Sequence, residues 1–297
     1  RRKWCRLIKW RGIRFGLHPL FVLVMLASVA TGQFPEIIVL FAIVLIHEMG
    51  HLIAARGFGW TVREVKLLPF GGVVEVKEAG ALPVREEVWV AVAGPLQNVW
   101  LAGAGWLLGQ AGLVDGLWAE DFIRANLLLI FFNLLPILPL DGGKLLQAWV
   151  SLRLPYHRTL VLCARISLVF SAIVLAASVA PLAFGGQLHL NLFVIGLFLL
   201  ASNWANSRNV PFLFLRFLVH RKKRAERRID AGTLVRPIVL AEHRPLTAAL
   251  RLFMKEGYHL IYVMKNGRIA KVVPENAVID AFFRQISPEN ADKRIFM

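Results

Sequence analysis

Long apolar runs divided by short polar breaks dominate the first two thirds of the chain. A helix crosses the hydrocarbon core of a bilayer with about 20 apolar residues. Six runs approach or reach that length: Pro19–Thr31, Pro35–Ala55, Val88–Gly109, Phe122–Leu138, Thr159–Phe184 and Leu188–Trp204. The first is short and extends back through Phe15; it is read as a retained anchor, because further spans follow it. Beyond Arg208 the pattern changes. Phe212–Val219 is apolar but only long enough for an interfacial segment, and Arg221–Arg228 is a basic linker. Ile229–Met297 then reads as a small α/β unit. Its strands are expected at 237–240, Leu260–Met264 and Ile269–Val273, the last two joined by an Asn266-Gly267 turn. Its helices are expected at Thr247–Glu256 and Val278–Phe283.

The predicted architecture is a multi-pass α-helical membrane protein with six transmembrane helices in residues 1–205. A basic interfacial linker fills 206–228, and a soluble α/β domain fills 229–297. About 70 residues bury only a marginal core. Pairing with a second copy through that domain is therefore expected.

Composition excludes several classes. Hydrophobic residues make up 57% and charged residues 18%, which does not fit an ordinary soluble enzyme, a disordered chain or a disulfide scaffold. The formal net charge of +16 would suggest nucleic acid in a soluble protein. Here the basic residues follow the topology. Seven precede the first run, from Arg1 to Arg14, with no acid among them. Arg56, Arg63, Lys66, Lys77 and Arg85 follow the second run, and Lys144, Arg153 and Arg158 follow the fourth. The breaks at 32–34, 110–121 and 185–187 hold no Lys or Arg. This alternation places both termini in the cytoplasm and accounts for the charge without a nucleic-acid partner. Cys5 and Cys163 have no metal-ligand spacing.

The second run carries His47-Glu48-Met49-Gly50-His51. Residues i and i+4 share one helical face, so two imidazoles can hold one Zn²⁺ while Glu48 reaches a water beside it. Chance yields this pattern in about one in 100 chains of such composition. Ionisable groups inside a span are costly and usually functional. A catalytic zinc takes three protein ligands and keeps one position open. The third candidate is Asp141. It follows Asn133, Pro136 and Pro139, where two prolines break the fourth run, and precedes Gly142-Gly143. Broken helix at membrane depth is tolerated where it lines a cavity. At 1.5 Å per residue, His51 lies about 24 Å along its run and Asp141 about 28 Å along its own. Both therefore belong to the cytoplasmic third. His18, His157, His189, His220, His243 and His259 have no partner at ligand spacing.

Two further stretches flank these residues. Lys66–Val76, with Gly71 and Gly72 at its centre, reads as a membrane-associated β-hairpin. Its edge could hold an extended peptide, or it is a simple surface hairpin. Asn98, in Gly94-Pro95-Leu96-Gln97-Asn98, is a buried amide. It serves a substrate or oxyanion, or it ties helices together.

The three motifs, His47-Glu48-Met49-Gly50-His51, Gly94-Pro95-Leu96-Gln97-Asn98 and Asn133…Pro136…Leu140-Asp141-Gly142, in this order, resemble the site-2 protease family of intramembrane zinc metalloproteases. The outline of six spans, Pro69-Phe70-Gly71-Gly72 and one C-terminal CBS-like domain is similar to the branch that matures the sigma-K factor precursor during sporulation. The resemblance implies Zn²⁺ on His47, His51 and Asp141, with Glu48 as catalytic base. It implies a substrate site lined by Asn98 and Asn133, with Gly71 and Gly72 at the strand edge. It further implies inhibitory membrane proteins as partners, and the mother-cell membrane around the forespore as the location. ATP at the CBS-like domain is implied as well, although Pro274 and Ala277 stand where the pattern has Thr or Ser and a ribose-binding Asp. Two other readings of the intramembrane His, Glu and Asp stay open here: the ion pathway of a CBS-regulated transporter or channel, and a structural scaffold.

Overall fold

The computed structural model describes residues 5–10, 13–17, 34–68, 71–76, 82–230 and 232–286. The expected first span, Pro19–Thr31, and the Pro69-Phe70 pair lie outside the described residues. The chain divides into two compact units. One comprises Arg1–Ala148 and Cys163–Ser207; the other comprises Trp149–Leu162 and Arg208–Met297.

In the first unit α1 (Phe34–Gly57), α2 (Val84–Gln110) and α3 (Gly116–Asn133) follow the second, third and fourth apolar runs. The helix α4 (Asp141–Arg153) begins at the expected Asp and continues out of this unit. α5 (Tyr156–Val179) and α6 (Leu190–Arg208) follow the last two runs. Among the described residues, three helical stretches are long and apolar enough to cross a membrane: Ile37–Gly57, Tyr156–Phe184 and Leu190–Arg208.

The α2 helix shows how the spans pack. It buries Ala91, Gly94, Asn98, Ala102 and Gly105, a stripe of small residues at helical spacing. It exposes Trp89, Trp100 and Trp106. This inverts the pattern of a soluble helix. Where lipid is as apolar as leucine, close backbone approach and dispersion contacts hold helices together, and small residues permit that approach. Gly50 of α1 meets α2 this way, for a Cβ there would stand 2.6 Å from the Ala93 carbonyl oxygen. At Gly105 the next neighbour is Phe122 of α3, 2.8 Å from a Cβ position.

The α3 helix ends earlier than the fourth apolar run. Its last residue is Asn133, and a compact turn rather than helix leads from Leu134 to Leu140. Ser167 Oγ of α5 accepts a hydrogen bond from Leu138 N at 2.9 Å, which fastens this turn to α5. Ile137, Leu140 and Leu199 form a buried cluster beneath it.

The sheet in this unit is larger than expected. The basic leader contributes β1 (Cys5–Trp10) and β2 (Ile13–Leu17), antiparallel to each other. β2 pairs in parallel with β3 (Val62–Leu68), and β3 pairs antiparallel with β4 (Gly71–Val76). The order is β1-β2-β3-β4, so β4 forms one edge and runs beside α1. Gly71 and Gly72 are paired residues of β4, opposite Leu68 and Leu67, rather than the reversal itself.

In the second unit the expected linker is helical, since α7 runs from Val210 to Asp230. It is followed by β5 (Val235–Ala241), α8 (Leu246–Arg251), β6 (Tyr258–Lys265), β7 (Arg268–Pro274) and α9 (Glu275–Ile286). β5 pairs in parallel with β6, which pairs antiparallel with β7. Asn266 and Gly267 both have positive φ, 50° and 76°, as their hairpin turn requires. The α8 helix stops at Arg251, short of Glu256, and lets Phe253 turn into the core.

Arg221, the first residue of the stretch read as a basic linker, has a buried side chain. It donates to both Glu275 carboxylate oxygens, at 3.2 and 2.9 Å, and to the carbonyls of Met254 and Gly257, each at 2.6 Å. Its guanidinium lies 5.3 Å from the ring centres of Phe217 and Phe253. Arginine's planar fork suits it to such a site, where a lysine could not satisfy both partners. His259 completes the group. Its Nε2 accepts from Met254 N at 3.3 Å, and its Nδ1 lies 3.2 Å from Glu275 Oε2 and 2.9 Å from Arg221 Nη2.

Burial pushes His259 below its ordinary value near 6.5, with the Arg221 charge acting in the same direction and Glu275 opposing. For Glu275 burial alone would raise the carboxyl, but the His259 hydrogen bond and the Arg221 charge outweigh it and hold it low. Both groups thus bind protons more weakly folded than unfolded, so their contribution is present at neutral pH and lost on acidification. We expect the opening free energy of β6 and α9 amides, from hydrogen exchange of the full chain in detergent, to fall as pH drops below about 6.5 and further below about 4.5. A flat profile between pH 7 and 4 would contradict this network.

Candidate metal centre

His47, Glu48 and His51 occupy one stretch of α1 and are all buried. The two imidazoles, one turn apart, meet edge to face with centroids 4.8 Å apart. A neutral imidazole has one N–H, and its position decides which nitrogen offers a lone pair. His47 Nδ1 faces Asn98 Oδ1 at 3.1 Å, and His51 Nδ1 faces the Val90 carbonyl at 2.6 Å. Both partners are acceptors, so both rings carry the proton on Nδ1. The two Nε2 lone pairs then point toward each other, 3.2 Å apart.

Asp141 supplies the third atom. Its Oδ2 lies 3.1 Å from His47 Nε2 and 3.0 Å from His51 Nε2. Three acceptors facing one another with no proton among them call for a cation. The size of the triangle matches: ligand atoms about 2.0–2.1 Å from a tetrahedral zinc stand about 3.3 Å apart. Glu48 lies alongside, for one of its oxygens and one nitrogen of each His fall within 4.8 Å of one another.

Neighbouring elements leave these side chains little freedom. Gly94 of α2 lies directly over the pair, and a Cβ there would overlap the imidazoles of both His51 and His47. Asp141 opens α4, where the positive end of the helix favours a carboxylate. Gly142 and Gly143 let the start of α4 fold against the Leu134 and Ile137 carbonyls, positions that a Cβ would fill. The other oxygen of Asp141, Oδ1, accepts from Lys144 Nζ at 2.8 Å.

Sequence reasoning placed His47, Glu48, His51 and Asp141 together, and the structure brings all four together. Asn98 is fully buried and faces His47, with its Nδ2 not hydrogen-bonded among the described residues. Asn133 is buried at the last residue of α3, and its Nδ2 likewise has no partner among them. Gly71 and Gly72 belong to the edge strand β4. The Val90 carbonyl, Lys144 and Ser167 were not anticipated. Lys144 carried a visible signal, its spacing of three from Asp141 on a helix, but the charge alternation already accounted for it.

Comparison with known proteins bears on this geometry. Residues 35–120 and 117–174 match the family model "Peptidase family M50". Stage IV sporulation protein FB of Bacillus subtilis is 34% identical over 292 residues, covering 98% of this chain and 95% of that protein. The chain belongs to peptidase family M50. A zinc metalloprotease of Methanocaldococcus jannaschii is 28% identical over 187 residues, which are 57% of this chain and 52% of that one. The solved structure of the site-2 protease from the same archaeon superposes with a TM-score of 0.58 at 25% identity, covering 69% of this chain and 95% of that structure. This M50 chain is thus a membrane zinc metalloprotease of the site-2 type, which settles the choice against a transporter or a scaffold.

Gly94→Ala places a methyl group where the two imidazoles meet. We expect zinc affinity to fall by about 10- to 100-fold, measured by chelator competition on folded protein. Unchanged affinity would show that the rings have room to move.

Proposed function

We propose that this M50 protease cuts a membrane-associated protein substrate near the cytoplasmic membrane face, with His47, His51 and Asp141 holding Zn²⁺ and Glu48 as general base. The convergence of His47 Nε2, His51 Nε2 and Asp141 Oδ2 carries the reading. Zinc, when bound there, acidifies water and polarises a carbonyl. The chain's own residues do the rest. Glu48 removes a proton from the attacking water, and the water oxygen adds to the scissile carbonyl carbon. Glu48 then returns the proton to the departing amine nitrogen, and the C–N bond breaks. Asn98 keeps the His47 lone pair on Nε2, and its Nδ2, not hydrogen-bonded among the described residues, is a donor beside the reaction. Asn133 and the β4 edge at Gly71 and Gly72 hold the substrate. A helix shields its own carbonyls, so the substrate must enter extended, and a strand edge offers main-chain partners for that form.

The likeness to a sporulation protein over nearly the whole chain supports a sporulation role. With the sequence resemblance above, it favours the sigma-K factor precursor as substrate and inhibitory membrane proteins as regulators. The β-α-β-β-α order of 235–286 supports a CBS-like domain. Pro274 ends β7, and Glu275, where a nucleotide-binding loop would follow, is committed to Arg221 and His259. ATP binding there is accordingly weak in this account. Self-association through that domain and six spans with cytoplasmic termini complete the proposal.

The test is Glu48→Gln, which keeps the side-chain size but cannot take the proton. We expect zinc content to stay at wild-type level while cleavage of a co-reconstituted membrane-associated substrate falls about 10²- to 10⁴-fold. Near wild-type cleavage in a zinc-loaded variant would remove Glu48 from the chemistry.

A further inference from the structure

Lys144 borders the metal centre and has no part in the mechanism above. Its ammonium bonds Asp141 Oδ1 at 2.8 Å, while Oδ2 of the same carboxylate faces the two His. The division is one oxygen for the ammonium and one for the cation. An ordinary exposed ion pair contributes little, about 0–1 kcal/mol. This pair differs because its carboxylate is almost wholly buried, at 4% exposure, whereas the lysine side chain is 40% exposed. The geometry is built into α4. The two residues are three apart on one helical face, and Lys144 N bonds the Leu140 carbonyl at 3.1 Å. The close packing of Gly142 and Gly143 fixes that first turn.

A carboxylate can ligate a metal through one oxygen or chelate it through both. With two His ligands and a water, a chelating Asp141 would make the centre five-coordinate and use up the position that a substrate carbonyl would take in the transition state. A charge-assisted bond to Oδ1 opposes the rotation that chelation needs. We propose that Lys144 is a positioning residue that holds Asp141 to one-oxygen ligation and so keeps the centre four-coordinate, with a position open for the substrate carbonyl. This deepens the zinc reading above and rests on it.

Cobalt(II) reports coordination number, since four-coordinate cobalt absorbs visible light several times more strongly than five- or six-coordinate cobalt. The full chain is loaded with cobalt in detergent as wild type, Lys144→Met and Lys144→Arg. We expect an intense visible band in the wild type and in Lys144→Arg. In Lys144→Met we expect a band several-fold weaker with cobalt still bound, and turnover of the zinc form lower by about 10- to 100-fold with KM little changed. If circular dichroism shows Lys144→Met unfolded, Lys144→Gln is held to the same criteria. A methionine or glutamine variant with the wild-type band would overturn the proposal and leave the zinc site standing. Equal loss in the arginine and methionine variants would also overturn it. A wild-type chain that takes up neither cobalt nor zinc would overturn the zinc reading itself.

Discussion

His47 Nε2, His51 Nε2 and Asp141 Oδ2 stand within 3.2 Å of one another, all three as acceptors, in buried surroundings. Such a triangle is stable only around a cation. Much of the first unit can be read as the means of building it. The α1 helix brings two rings to one face by their spacing of four. The α2 helix supplies acceptors for both Nδ1 atoms and, at Gly94, the clearance for both rings. The Pro-broken turn from 134 to 140 ends α3 early, and α4 then starts with Asp141. Ser167 fastens that turn to α5. Each contribution is small on its own. Together they place three ligand atoms from two helices to within a few tenths of an ångström of a tetrahedral face.

The packing rules of a membrane make this construction economical in space. A soluble core would need bulky side chains between helices to bury apolar area. Here the small residues of α2 bring its backbone against α1 and α3, and its tryptophans turn outward. The same closeness puts the backbone carbonyl of Val90 within direct reach of His51. Asn98, fully buried in that stripe, then serves two ends: it ties α2 to α1 and fixes the His47 ring.

The chemistry was legible in sequence because its residue types are costly inside a membrane. Three ionisable groups within five residues of an apolar run, and an Asp after two prolines, stand out against leucine and valine. The helical pattern of the C-terminal α/β unit was legible for the usual reason, alternation and turn residues. What stayed hidden depended on distant partners. Arg221 looks like any member of a basic run; its burial requires Glu275, 54 residues away. The strands at 5–10 and 13–17 carry basic residues that read as topology signals, and the pairing of 13–17 with β3 spans the whole of α1. Lys144 obeys the charge alternation and also bonds a site carboxylate, and one explanation concealed the other. Gly94 was recognisable as a point of close approach, but what approaches is set by packing.

Zinc K-edge X-ray absorption on the purified full chain tests the central claim most directly. The account predicts one zinc per chain with a first shell of nitrogen and oxygen at about 2.0–2.1 Å, outer-shell scattering from two imidazoles, and no sulfur. A shell of six oxygens, a sulfur contribution, or scattering from a single imidazole would contradict a centre built on His47, His51 and Asp141.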